Sequence, residues 1–138
     1  MNKKTLALAL SACVISLVLL TSCGADPAET GPVLQVTTSS WSGWSEDYEP
    51  EEETYTYAVD SPGAIMIPPE DGDGFKIELL EIGKDSLSFE TESPMSVDDG
   101  GGINLMTDQT VFAVKKGQTL NLVTPTMDSG NIYIFEYK

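Results

Sequence analysis

The sequence predicts a small all-β fold: an antiparallel sandwich, Ig-like or a similar Greek key, in its C-terminal part. Three observations carry this. After Asp60, short β-rich runs recur between turn residues, at the 8–12-residue rhythm of about seven strands in a sandwich or barrel. Valine, isoleucine, threonine and aromatic residues fill those runs, as pleated, half-buried surfaces favour. No stretch keeps an apolar 3.6-residue period over three turns, so little helix is expected.

The runs are taken in order. Thr54-Tyr55-Thr56-Tyr57 alternates at the threshold of the domain. Ala64-Ile65-Met66-Ile67 is closed by Pro68-Pro69, and Asp71-Gly72-Asp73-Gly74 is a turn. In Phe75 to Ile82, residues Phe75, Ile77 and Leu79 share one parity, while Leu80 and Ile82 take the other. That phase switch predicts a β-bulge near Leu79-Leu80. After Gly83-Lys84-Asp85, the run Ser86 to Thr91 points Leu87 and Phe89 inward. Asp98-Asp99-Gly100-Gly101-Gly102 is a flexible loop, and Ile103 to Met106 is a short run. Thr110 to Val114 turns through Lys115-Lys116-Gly117 into Thr119 to Val123. The last run, Asn131 to Tyr137, is apolar on both parities, which predicts a strand that is central or covered on both faces. Asp128-Ser129-Gly130-Asn131-Ile132-Tyr133 resembles the turn before a tyrosine corner in immunoglobulin-like domains. Here the tyrosine stands one residue further on and no cysteine follows.

Two segments precede these runs. Lys3 and Lys4 lead a charge-free apolar stretch from Leu6 to Leu20. It is shorter than the ~20 residues that span a bilayer and fits the apolar region of a secretory signal. Leu20-Thr21-Ser22-Cys23 then resembles the lipobox of bacterial membrane lipoproteins. The resemblance implies a signal peptide over 1–22, cleavage between Ser22 and Cys23, and a diacylglycerol on the Cys23 thiol. It also implies attachment to the cell membrane through that lipid, on the extracytoplasmic face. Two acyl chains hold a protein stably where one does not. Cys13 would be removed with the signal, so the mature chain would have no free thiol and no disulfide.

Residues 23–57 read as a lipid-anchored, acidic, disordered linker, ahead of a β-sandwich domain at 58–138. From Asp26 to Asp60 there are nine acids and no base, and like charges hold a chain extended. Val33 to Val36 is a brief apolar patch within it, and Trp41-Ser42-Gly43-Trp44 is its odd feature. Trp41 and Trp44 are candidate contacts for a partner or a sugar; alternatively, one or both dock onto the domain that follows.

Composition removes several function classes. The formal charge is −15, the seven basic residues are all lysine, and there is no histidine. No Ser-His-Asp triad, Cys-His pair or His-ligated zinc is possible, and no arginine is present to clamp a phosphate. So acidic a chain repels nucleic acid. No catalytic residue is assigned, because carboxylate-pair hydrolysis also needs a cleft that a domain of this size rarely forms. Calcium is the one possible cofactor, on oxygen ligands from Asp71, Asp73, Asp98 and Asp99. An EF-hand loop beginning at Asp71 would need glutamate where Ile82 stands. The expected role is a non-enzymatic interaction module for an envelope protein or glycan. The alternatives are a structural spacer or surface-coat component, or a Ca²⁺-dependent adhesion module.

Overall fold

The computed structural model describes residues 31–44, 47–68 and 74–138. Among the described residues nine strands follow in chain order: β1 (Val33–Ser42), β2 (Glu53–Ala58), β3 (Gly63–Ile67), β4 (Phe75–Ile82), β5 (Ser86–Thr91), β6 (Ser96–Val97), β7 (Val111–Lys115), β8 (Thr119–Val123) and β9 (Ser129–Tyr137). They form two antiparallel sheets packed as a small sandwich, one ordered β2-β1-β9-β8-β6 and the other β3-β4-β5-β7. The sandwich class predicted from the strand rhythm is therefore what the chain adopts.

Alternation fills the core. β1 sends in Leu34 and Val36, β9 sends in Tyr133, Phe135 and Tyr137, and β8 sends in Leu122. The facing sheet contributes Ile67, Phe75, Ile77, Leu79, Leu87, Phe89, Phe112 and Val114. Aromatic rings tie the sheets together. Phe75 stacks on Tyr133 with ring centroids 4.3 Å apart, and Phe89 meets Phe135 at 4.6 Å. Offset ring pairs of this kind add to the stabilisation from burial alone. Desolvation raises the Tyr133 pKa above its ordinary value, because burial disfavours the phenolate.

Two expectations hold in detail. The register between β4 and β5 shifts between Leu79 and Glu81, where the apolar phase switches. Leu80 and Glu81 consequently both face out. β9 lies between β1 and β8, inside the five-stranded sheet, with its inner face buried and Ile132 and Ile134 half-buried outside.

Two expectations need correction. Much of the segment read as a disordered linker up to residue 57 is part of the sandwich. Val33–Ser42 pairs with β9 along nine residues, from Leu34↔Tyr137 to Ser42↔Ser129. On its other side it pairs with β2 through Val33↔Ala58 to Thr38↔Glu53. The compact unit therefore spans Gly31–Lys138, not 58–138. The reason is long-range pairing: β9 is apolar on its inner face and needs a partner strand, and β1 supplies it with only Leu34, Val36 and Thr38 turned inward. Second, Ile103 to Met106 is not a strand but part of a loop, where Asn104 Oδ1 accepts the Met106 amide at 3.1 Å. The strand that this part of the chain does contribute is Ser96–Val97, which adds to the edge of β8.

Candidate functional site

The sandwich has two unlike ends. At one, which we call the root, Val33 and Lys138 lie side by side. Val33 N donates to Lys138 O at 3.2 Å, and Lys138 N donates to Val33 O at 3.0 Å. Lys116 N reaches Asp85 O, and Gly117 N reaches Tyr137 O. The buried Tyr137 hydroxyl donates to Gly83 O of the opposite sheet at 2.7 Å. Ten residues of β1, at about 3.3 Å each, carry the chain from the root to the tip.

The tip is made of loops. Gly43 N donates to Asp128 O at 2.7 Å, which joins the β1–β2 loop to the β8–β9 loop. The second loop is pinned from within. The Thr124 hydroxyl accepts the Asn131 amide at 2.9 Å, and the Thr126 hydroxyl donates to Ser129 O. On these joined loops stand Trp44 and Met127, 78% and 77% exposed. Tyr48, also exposed, bonds through its hydroxyl to that of Ser40. Side chains this large and this wet cost free energy when left unpartnered, and their clustering is characteristic of contact surfaces.

The two tryptophans have separate roles. Trp41 lies opposite Gly130 across the β1–β9 pair and covers it. A Cβ on Gly130 would stand 2.8 Å from Trp41 Nε1 and 2.0 Å from Thr124 Oγ1. Only glycine admits this approach, an indole laid over a bare backbone. Trp41 therefore docks on its own domain, while Trp44 is presented to solvent. Met127, Asp128 and Tyr48 complete the surface. A lone methionine in a Thr-Pro-Thr-Met-Asp loop offers little sequence signal, and its exposure depends on where the loop is pinned.

Charge is segregated between the ends. Of the five lysines among the described residues, Lys84, Lys115, Lys116 and Lys138 lie at the root; Lys76 lies on the outer side of β4, opposite Met66. The root lysines are interspersed with acids, and Lys138 pairs with Glu136 at 3.4 Å. The tip loops carry Asp47, Glu49, Glu51, Glu52 and Asp128 with no lysine among their described residues.

The other candidates fare differently. Asp71 and Asp73 lie outside the described residues. Asp98 and Asp99 each spend one carboxylate oxygen on a turn, accepting the Gly100 and Gly101 amides at 3.0 Å. Such turns are the ordinary reason for Asp-Gly sequences. Among the described residues no three acidic or cysteine side chains come together as a metal site. The Asp98–Gly102 loop runs beside β8, with Asp98 N bonded to Asn121 O, and so does not join the tip. Cys23 also lies outside the described residues. Open concavities among the described residues include two on the sheet surfaces. One is lined by Lys76, Glu78, Glu90, Thr91 and Glu92 on the outer face of β4 and β5, the other by Val97 to Gly100 and Thr119 to Asn121.

Compared with known proteins, the chain matches no family model, no curated protein and no solved structure, so its function is argued from its own residues.

Proposed function

We propose that this is a lipid-anchored bacterial cell-envelope protein whose sandwich is a non-enzymatic interaction module. Cys23 carries the diacylglycerol and holds the chain on the extracytoplasmic face of the membrane. The tip meets an envelope protein or glycan. One observation carries the interaction reading: Trp44 and Met127 stand more than three-quarters exposed on loops pinned to each other, a strand's length from the root. The anchor reading is supported by the order of Lys3-Lys4, the apolar stretch and Leu20-Thr21-Ser22-Cys23.

A spacer role rested on a long linker. With β1 and β2 inside the sandwich, seven residues, Gly24 to Thr30, separate Cys23 from the folded unit. They reach at most about 25 Å. That length keeps the domain near the membrane surface, where recognition matters more than reach.

The test has two parts. Cells fed a clickable fatty acid should label the full chain and leave a Cys23→Ser variant unlabelled; label on both overturns the anchor. A photo-crosslinker at Met127 should give a discrete adduct in intact cells, while one at Gln118 of the root should not. Adducts from both positions, or from neither, overturn the tip as the contact surface.

A further inference from the structure

We propose that the tip recognises a cationic polypeptide segment, rich in lysine or arginine and carrying at least one apolar side chain. This rests on the tip being the contact surface and names the chemistry of its partner. Two independent features favour a cation there. Asp47, Glu49, Glu51, Glu52 and Asp128 make no ion pair among the described residues, and four of the five described lysines are held at the far end. The protein leaves these charges uncompensated. Like-charge repulsion is relieved most by a partner of opposite sign, which also steers its approach.

The second feature is Trp44 itself. An indole face attracts ammonium and guanidinium groups through its quadrupole, and tryptophan does so best among the aromatic residues. An exposed tryptophan on the loop that carries Asp47, Glu49, Glu51 and Glu52, joined by Gly43 to Asp128, offers a cation both a face and counter-ions. Met127 adds a soft apolar contact that adapts to different neighbours. The Gly43–Asp128 and Thr124–Asn131 hydrogen bonds hold these groups in place before binding, which lowers the ordering cost.

Other ligand chemistries fit less well. A neutral glycan would use the indole and leave the carboxylates unanswered. A bare divalent cation needs several carboxylates converging on one point, and no such group is found among the described residues. Nucleic acid and anionic lipid would be repelled.

The experiment measures the full chain against a fluorescent peptide of alternating lysine and leucine, by anisotropy. An alternating serine–leucine peptide is the uncharged control. Saturable binding of the cationic peptide alone is expected. Trp44→Ala should weaken it about tenfold, as a central aromatic contact does. Glu49→Gln/Glu51→Gln/Glu52→Gln should weaken it at least as much. Glu78→Gln/Glu81→Gln/Glu90→Gln, which removes equal charge from β4 and β5, should leave it within about twofold, the scale of distant surface changes. Raising salt to about 0.5 M should shrink the effect of the acids, because exposed charges are screened, while the Trp44 effect persists. Equal losses from the two glutamine triples would reduce the binding to bulk charge and overturn the proposal. So would an unchanged affinity in Trp44→Ala, or no binding of the cationic peptide. A Met127 crosslink to a neutral glycan or an acidic protein would overturn the cationic partner while leaving the tip as the contact surface. Loss of the crosslink itself overturns the tip.

Discussion

The root and the tip are built from the same strands but to opposite ends. At the root, backbone bonds close the chain on itself between Val33 and Lys138, and Tyr137 reaches Gly83 across the core. At the tip, hydroxyl groups of Thr124 and Thr126 hold a loop that contributes almost nothing to the core and turns Met127 outward. The root spends its side chains on stability. The tip spends its stability on presenting side chains. Recognition commonly sits on loops that a rigid scaffold positions, and here the scaffold's own closure is displaced to the far end.

The contrast gives a graded series of effects. The largest concerns the strand that links both ends. A chain beginning at residue 58 lacks β1 and β2 and leaves one side of β9 unpaired, so it should not fold. A chain beginning at Gly31 should melt cooperatively in calorimetry. A cooperative transition from the shorter chain would return 31–57 to the status of a linker. Next is the core between the two sheets. Phe135 is fully buried against Phe89, and Phe135→Ala should lose about 3–5 kcal/mol in urea unfolding.

Gly130→Ala should follow, because its new methyl would meet Thr124 Oγ1 and Trp41 Nε1. The cost is about 1–3 kcal/mol for overpacking, and Trp41 fluorescence should shift as the indole is pushed off β9. An unchanged spectrum would mean that Trp41 does not cover Gly130. Tyr137→Phe removes the bond to Gly83 O at the root and leaves a half-buried carbonyl without that donor. It should cost about 1 kcal/mol, with crosslinking from Met127 unaltered. The smallest effect on stability belongs to the tip. Trp44→Ala should change the unfolding free energy by less than about 0.5 kcal/mol, as exposed positions do. A larger loss would make Trp44 part of the fold and remove it from the contact surface.

The pattern of what was legible follows from how each strand is held. In β4, the parity switch at Leu79-Leu80 announced the bulge, because alternation against a core is written directly into a strand's own residues. β9 announced its central place through apolar residues on both parities. β1 did not announce itself. Only Leu34 and Val36 mark its inner face, and Thr37, Thr38, Ser39 and Ser40 read as polar linker. Its β-prone threonines were a signal, but acids on either side outweighed them. Those acids do form a solvated stretch, yet as a loop between two paired strands. Ile103 to Met106 misled in the opposite direction: an apolar run without a strand to pair with remains a loop. Trp41 and Trp44, three residues apart, looked alike in the sequence and were separated only by strand β1 ending between them.

The sequence by itself determined the all-β class, the central last strand, the bulge and the absence of histidine and arginine chemistry. These depend on composition and on alternation within single strands, which are local. Tertiary structure alone decided that the domain begins at Gly31, that Trp41 covers Gly130 while Trp44 is exposed, and that four of the five described lysines gather at the end away from the β1–β2 loop acids. Each of these depends on which distant strand pairs with which. That choice is settled by the burial of both partners together, and neither partner's residues state it alone.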